Sequence, residues 1–418
     1  MLMRVPAARS SFHGDGNSGA TEDTPLLGPN SKPLSSQPKT FANVFIAIVG
    51  AGVLGLPYAF KRAGWMTSLL TLFLVALLTC RCMMLLVYTR RKLEYPNGLT
   101  KISSFGDLGF TVCGSLGRFV VDALVVLSQT GFCIGYLIFI GNTSCNLFLP
   151  SSASNKFFIW VCLPFQLGLN SIATLTHLAP LSIFADVVDL GAIGVVLTQD
   201  LTQLLNHSPP VEAFGDLSMF FYSLGVAVYS FEGIGMVLPL ESEAKEKDKF
   251  GMILGLTMIF IFFLYAGFGT LGYLAFGEET KDVITDNFGA GFLTALIKLG
   301  LCVNLFFTFP LMMNPVYEIV ERRFCGETYC LWLRWVLVLM VSLAAVLVPN
   351  FADFLSLVGS SVCCALGFVL PALFHLLVFK EEMDRATRYS DLAIVLSGVV
   401  LGVSGTWCAL LEIFAVKA

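Results

Sequence analysis

Gly50-Ala51-Gly52-Val53-Leu54-Gly55-Leu56-Pro57 interrupts the first long apolar run of the chain, and Gly233-Ile234-Gly235-Met236-Val237-Leu238-Pro239 interrupts the sixth. Each places Gly-x-Gly near the middle of its run, with a proline a few residues on. Glycine lowers the cost of leaving the helical well, and proline withdraws a backbone donor. Both stretches therefore predict helices broken at membrane depth. Small residues also permit close helix packing, and a single interruption would be read that way. Two at matching positions favour a shared cavity, because unwound backbone within a bilayer is tolerated only where it is buried or lines one.

Eleven apolar runs surround these breaks, at 41–60, 64–89, 117–147, 156–174, 179–205, 215–240, 250–276, 289–318, 331–348, 351–379 and 391–415. Each is long enough to cross about 30 Å of hydrocarbon as a helix. Backbone groups find no partner in lipid, so a span must be a helix or part of a closed barrel. Runs of this length do not match the short alternating strands of a barrel. Composition agrees: of 418 residues 56% are hydrophobic and 13% charged, with a mean hydropathy of +0.80. A soluble domain has too little interior for that much apolar side chain. The expected fold class is an all-α polytopic membrane protein.

Residues 1–38 differ from the rest. Rich in Ser, Pro, Gly and Asn, they predict a disordered tail without a secretory signal peptide. Within it, Glu22, Leu26 and Leu27 fit an acidic dileucine pattern that sorting adaptors read on cytosolic tails, a pattern short enough to arise by chance. The remaining chain, 39–418, forms the membrane domain. Its 25 Lys and Arg residues are distributed unevenly. With the N-terminus cytosolic, eighteen fall on the cytosolic side, five on the other, and Arg81 and Lys298 within spans, which supports that orientation. Eleven spans then leave the C-terminus luminal or extracellular. The stretch 90–116, basic first and semi-apolar later, is open to two readings, an amphipathic interfacial helix or an ordinary loop.

Runs one and six start on opposite sides of the membrane, and corresponding breaks in oppositely directed helices mark an inverted repeat. Repeat one would cover about 41–205, repeat two about 215–379, and an extra helix about 391–415. The N-terminus of a half-helix exposes N–H groups that suit a carboxylate. The end of the preceding half-helix exposes carbonyls that suit an ammonium group. An amino acid zwitterion carries both on one carbon. The substrate-binding candidates are accordingly Gly50, Ala51, Gly52, Val53 and Gly55 in run one, and Tyr229, Ser230, Phe231 and Gly233 in run six. Asn304 is added as a polar group able to line the cavity. Gln129, Thr308 and Asn314 could also do so, although hydrogen bonding between helices is the simpler role for all four.

Three carboxylates are candidates for carrying a proton. Glu232 sits at the second break, where a carboxylate is costly and usually functional; capping the second half-helix is a compatible role. Asp186 and Asp189 in run five are three residues apart on one helical face, and a close pair can hold one proton between them. Solvation near the membrane edge is their alternative. Asp200 lies further along the same run. Lys298 is expected to snorkel to the far surface, and His177 and His375 to sit at the interface. Unwound carbonyls also coordinate Na⁺, so both ions stay open. No metal or cofactor is expected. The twelve Cys lack CxxC pairing, and most lie in apolar runs as small hydrophobes.

These residues resemble those of the amino acid/auxin permease family over about 39–415. The resemblance rests on Gly50 to Phe60, on Phe231-Glu232-Gly233-Ile234-Gly235 with Pro239 and Glu241, and on Leu178-Ala179-Pro180-Leu181-Ser182-Ile183-Phe184-Ala185-Asp186. Within the family the chain looks most like plant vacuolar neutral amino-acid transporters, relatives of animal proton-assisted transporters. The resemblance implies the eleven-helix form of the five-plus-five leucine-transporter fold. It also implies proton-coupled transport of neutral amino acids across the vacuolar or another acidic-compartment membrane. An auxin or organic-anion carrier, and a transport-poor amino acid sensor, are the alternatives. Net charge of −4 argues against nucleic acid as a partner, and no hydrolase, zinc-protease or P-loop motif suggests an enzyme.

Overall fold

The computed structural model describes residues 34–94, 102–148, 155–172, 179–206, 209–289, 291–326, 328–348 and 350–415. The dileucine residues Glu22, Leu26 and Leu27, and also His177, lie outside these. Helices occupy every predicted run. The first run is α1 (Gln37–Ile48), a 3₁₀ turn at Ala51–Gly55 and α2 (Leu56–Ala63), bent by 50° across the break. There follow α3 (Trp65–Glu94), α4 (Phe105–Phe148), α5 (Asn155–Asn170) and α6 (Ala179–Asn206). The sixth run is α7 (Leu217–Ser230) and α8 (Ile234–Glu243). Then come α9 (Phe250–Phe276), α10 (Phe292–Phe324), α11 (Leu331–Leu347), α12 (Phe351–Val358), α13 (Leu370–Val378) and α14 (Arg385–Ala415).

Among the described residues, eight helices are long and apolar enough to cross a membrane, or nine if the bent α1–α2 pair is one span. The helix α11 is apolar but shorter. Interruptions fall where the sequence weakens the helix. Gly114 at φ +65° kinks α4 just after a first segment that buries Phe105 and Leu108, so the end of 90–116 is helical. Between α12 and α13 the hydrogen bonding slips into π-helical turns at Gly359–Cys363 and Ala365–Val369, a wider winding that recurs at functional positions.

The two broken spans lie antiparallel and side by side, with α1 packed on α8 and α2 on α7. Main-chain bonds fasten both ends. Where α1 begins, Ser35 N–H donates to Glu243 O (2.8 Å) and Lys245 N–H to Ser35 O (3.1 Å). At the other end, Gly215 N–H donates to Ala63 O (2.8 Å) and Trp65 N–H to Glu212 O (3.1 Å). Gly64, at φ +83°, must be glycine here, since a Cβ would lie 2.6 Å from Ala213 O.

Two expectations are corrected. Lys298 does not snorkel: it is buried, and its Nζ meets Asp286 Oδ1 at 2.7 Å. The ion pair keeps the ammonium inside at lower cost than leaving it unpaired. His375 is not an open interfacial residue either. It is buried on α13, with Nδ1 2.6 Å from Oδ2 of the fully buried Asp391 of α14.

Candidate transport site at the paired helix breaks

At the first break Gly50 is extended (φ −154°, ψ −163°), Ala51 to Gly55 are all buried, and α2 starts with Pro57 in its first turn. At the second, α7 ends at Ser230 and α8 begins after Gly233. Each break packs on the other span at the same level. A Cβ on Gly52 would lie 2.9 Å from both Ser230 Cα and Ser230 Oγ and 3.0 Å from the Tyr229 ring. A Cβ on Gly233 would lie 2.8 Å from Ile48 Cγ1. Contact this close needs glycine on both sides of the seam, which explains the residue type at each break. Gly50, by contrast, has open space where a Cβ would go.

One side chain joins both breaks. Tyr265 of α9, fully buried, donates its hydroxyl to Ser230 O at 3.0 Å, and the same oxygen is 3.4 Å from Ile48 O. These are carbonyls of the last turns of α7 and α1, which lack helical partners because the helices stop there. The Phe231 ring lies edge-on to Tyr265 with centroids 5.1 Å apart. Phe231 is therefore packed in the core behind the break. Tyr229 stacks edge-on against Phe132 of α4 at 4.9 Å, and its buried hydroxyl has no hydrogen-bond partner among the described residues.

The carboxylates divide. Glu232 is half-buried at the second break, with its carboxylate near the Ile234 N–H. One carboxylate oxygen lies 3.8 Å from where a Cβ on Gly367 would sit, in the second π-helical turn. Asp189 on α6 is within electrostatic range of Tyr265 and of Tyr136 on α4, so it too approaches the breaks. The Asp186 side chain lies outside the described residues. Asn304 is buried on α10, where its Oδ1 accepts from Thr308 one turn on (2.9 Å), a bond within one helix and not between two.

Sequence reasoning missed Tyr265, Gly359 and the Tyr222–Asp353 pair. Gly359 packs directly on Gly225 of α7, and a Cβ there would also approach Tyr229 N to 2.9 Å. Tyr222 donates to Asp353 Oδ1 at 2.8 Å, joining α7 to α12. A hydroxyl-bearing ring inside an apolar run was the available signal, since a buried Tyr needs a polar partner.

The family model described as transmembrane amino acid transporter protein matches residues 34–411. The chain belongs to that family. It is 66% identical to amino acid transporter AVT3B of Arabidopsis thaliana, over 94% of this chain and 98% of that protein. It is also 66% identical to AVT3C (95% of each) and 35% identical to ANT1 (92% of this chain, 97% of that protein), both from Arabidopsis thaliana. Among solved structures it is similar to Mhp1 in an inward-facing conformation, with a TM-score of 0.56 at 13% identity, covering 94% of this chain and 93% of that one. A closed Mhp1 with bromovinylhydantoin bound, described as a nucleobase-cation-symport-1 family transporter, gives 0.53 at 14% identity, covering 94% and 95%. The fold is therefore that of the Mhp1 and leucine-transporter class.

Proposed function

We propose that the protein is a secondary active transporter of neutral amino acids, coupled to protons and working by alternating access. The observation that carries this reading is the seam of Gly52 against Ser230 and Gly233 against Ile48. It brings two helix C-termini and two helix N-termini together, offering carbonyls to an ammonium group and N–H groups to a carboxylate. The substrate site comprises Gly50, Ala51, Gly52, Val53 and Gly55 with Tyr229, Ser230, Phe231, Gly233 and Asn304. Gly50, with open space beside it, is its nearest approach to substrate, while Phe231 supports from behind. Glu232 is the first choice for proton exchange, with Asp189 and Asp186 next. The antiparallel pairing of α1–α2 with α7–α8 supports an inverted repeat of about 41–205 and 215–379, while the eleven apolar runs support eleven crossings and the Lys and Arg asymmetry a cytosolic N-terminus. The resemblance of the sequence to plant vacuolar neutral amino-acid transporters supports an acidic-compartment membrane, with Glu22, Leu26 and Leu27 as a sorting signal.

The test is labelled alanine or proline movement in proteoliposomes under an imposed pH difference. Accumulation that vanishes with a protonophore is the expected outcome. Movement indifferent to the pH gradient, and dependent on Na⁺ instead, would replace the proton with sodium. Competition by auxin or another organic anion but not by amino acids would overturn the substrate class.

A further inference from the structure

The helix α6 carries a second unusual carboxyl group. Asp200 has no exposed surface, and neither of its carboxylate oxygens has a hydrogen-bond partner among the described residues. The amide oxygen of the preceding residue, Gln199, is also buried without one. Successive residues thus bury three acceptor oxygens and no donor to them. Burying a carboxylate without a partner is among the costliest arrangements a protein can hold, and it is relieved by neutralising the group.

Among the described residues no neighbouring cation does so. The helices packed on α6 are α9 and α10. At the level of Asp200, about 9 Å from the end of α6 at the helical rise per residue, their ionisable groups are committed elsewhere. Lys298 is paired with Asp286 at 2.7 Å. The Tyr273 hydroxyl meets Glu278 Oε1 at 3.3 Å and accepts the Glu212 N–H at 2.9 Å. Cys302 offers only a buried thiol. Tyr265, Tyr317, Glu318, Glu321, Arg322 and Arg323 lie deeper or at the other end. On α6 itself the nearest ionisable side chain is Asp189, about 16 Å away along the axis.

A cavity opens beside this stretch of α6, lined by neighbours of Asp200 but not by Asp200 itself. It has a volume of about 350 Å³ and is lined by Thr198, Gln199, Thr202 and Gln203 of α6 together with Asn287 and Thr294. It runs along the turns on either side of Asp200, at the end of the bundle opposite the start of α1. Gln203 lies three residues beyond Asp200 and shares its helical face. The rings of Phe276 and Phe288 form part of its wall, and the hydroxyl and amide groups beside them, uncharged, can hold water that relays protons.

We propose that Asp200 is a proton-binding site, loaded from the side opposite the start of α1 by way of water in this cavity and separate from the helix breaks. A proton from water in the cavity adds to a carboxylate oxygen, leaving a neutral acid; its return to that water restores the carboxylate. Taking this proton to be one that moves with substrate rests on the transport reading above.

Two measurements test it. Infrared spectra of the purified protein in lipid are recorded for wild type, Asp200→Asn and Asp200→Glu. A protonated-carboxyl band present at neutral pH, absent from Asp200→Asn and shifted in Asp200→Glu, supports the site; a band unchanged in Asp200→Asn overturns it. Proteoliposomes then carry a pH difference of about one unit, which supports up to about a tenfold substrate gradient for one proton per substrate. Wild type and Asp200→Glu should accumulate substrate, while Asp200→Asn should reach a ratio of about one yet keep exchange at symmetric pH. Accumulation by Asp200→Asn equal to wild type defeats the coupling role and leaves the transport reading intact. A wild type that ignores the gradient defeats that reading instead, and the infrared band alone then decides whether Asp200 holds a proton.

Discussion

The Tyr265 hydroxyl lies 3.0 Å from the carbonyl oxygen of Ser230, in the last turn before the second helix break, and the same oxygen is 3.4 Å from Ile48 O before the first. A single proton donor on a third helix thus serves the ends of both broken spans. Tyr265→Phe removes it and leaves a buried carbonyl unpaired, costing about 1–3 kcal/mol. Transport should fall more steeply than thermal stability, because the carbonyls belong to the proposed binding region. Unchanged uptake by Tyr265→Phe in proteoliposomes would show that the bridge is dispensable.

Gly50 and Gly52, two residues apart, should respond differently to alanine. At Gly52 the added methyl meets Ser230 backbone at 2.9 Å, an overpacking that typically costs about 1–3 kcal/mol. At Gly50 nothing lies within 4 Å, and its extended backbone suits alanine. Gly50→Ala should therefore melt like wild type but bind substrate more weakly, whereas Gly52→Ala should lose stability as well as transport. Equal melting temperatures for the two variants would contradict the geometry.

Glu241 of α8 is fully buried between Arg90 and Arg91 of α3, and Arg90 also donates to Leu238 O at 2.8 Å. Breaking a buried pair by removing one partner typically costs about 3–5 kcal/mol. Arg90→Met alone should reduce the yield of folded protein sharply, and Arg90→Met with Glu241→Gln should recover much of it. A double variant no better than the single one would argue against the pairing as the cause. Size-exclusion profiles and melting curves give the comparison.

Asp282 lies in the loop between α9 and α10, outside the spans, with its carboxylate accepting the Phe351 N–H at 3.3 Å. Burial raises its pKa above the usual 3.8, against the opposing pull of that N–H, with Asp286 and Asp353 adding to the rise. An acid with a raised folded pKa stabilises the fold below its unfolded pKa, and that stabilisation is lost as pH rises through the folded value. The folded state should thus be favoured in acid. Asp282→Asn should raise the melting temperature at neutral pH, with the gain shrinking to nothing below about pH 4. A gain that persists in acid would trace the effect to packing instead.

The membrane class and the two breaks were legible because both are local: glycine and proline act on their own backbone, wherever the chain goes next. What the glycines pack against was not. Gly52 meets Ser230 nearly 180 residues away, and Gly225 meets Gly359 across more than 130. Lys298 and His375 were misplaced for the same reason, since Asp286 and Asp391, which draw them inside, carry no mark in the sequence as their partners. Tyr265 was one aromatic among many in its helix until the carbonyls of two other helices converged on it.

The fastenings at the two ends of the broken spans, Ser35 to Glu243 and Lys245 and Gly215 to Ala63, are made by peptide groups alone. No side chain makes these bonds, although Gly64 and Gly215 must stay small for the second to close. At Ser35 and Lys245 such joints leave the side chains free to drift over evolutionary time, and an alanine scan would pass over them silently, whereas at Gly215 a Cβ would lie 2.8 Å from the Ala63 backbone. Proline, which has no N–H to give, is the residue that finds them, so a proline scan along 35, 215 and 245 would trace an architecture that sequence comparison cannot see.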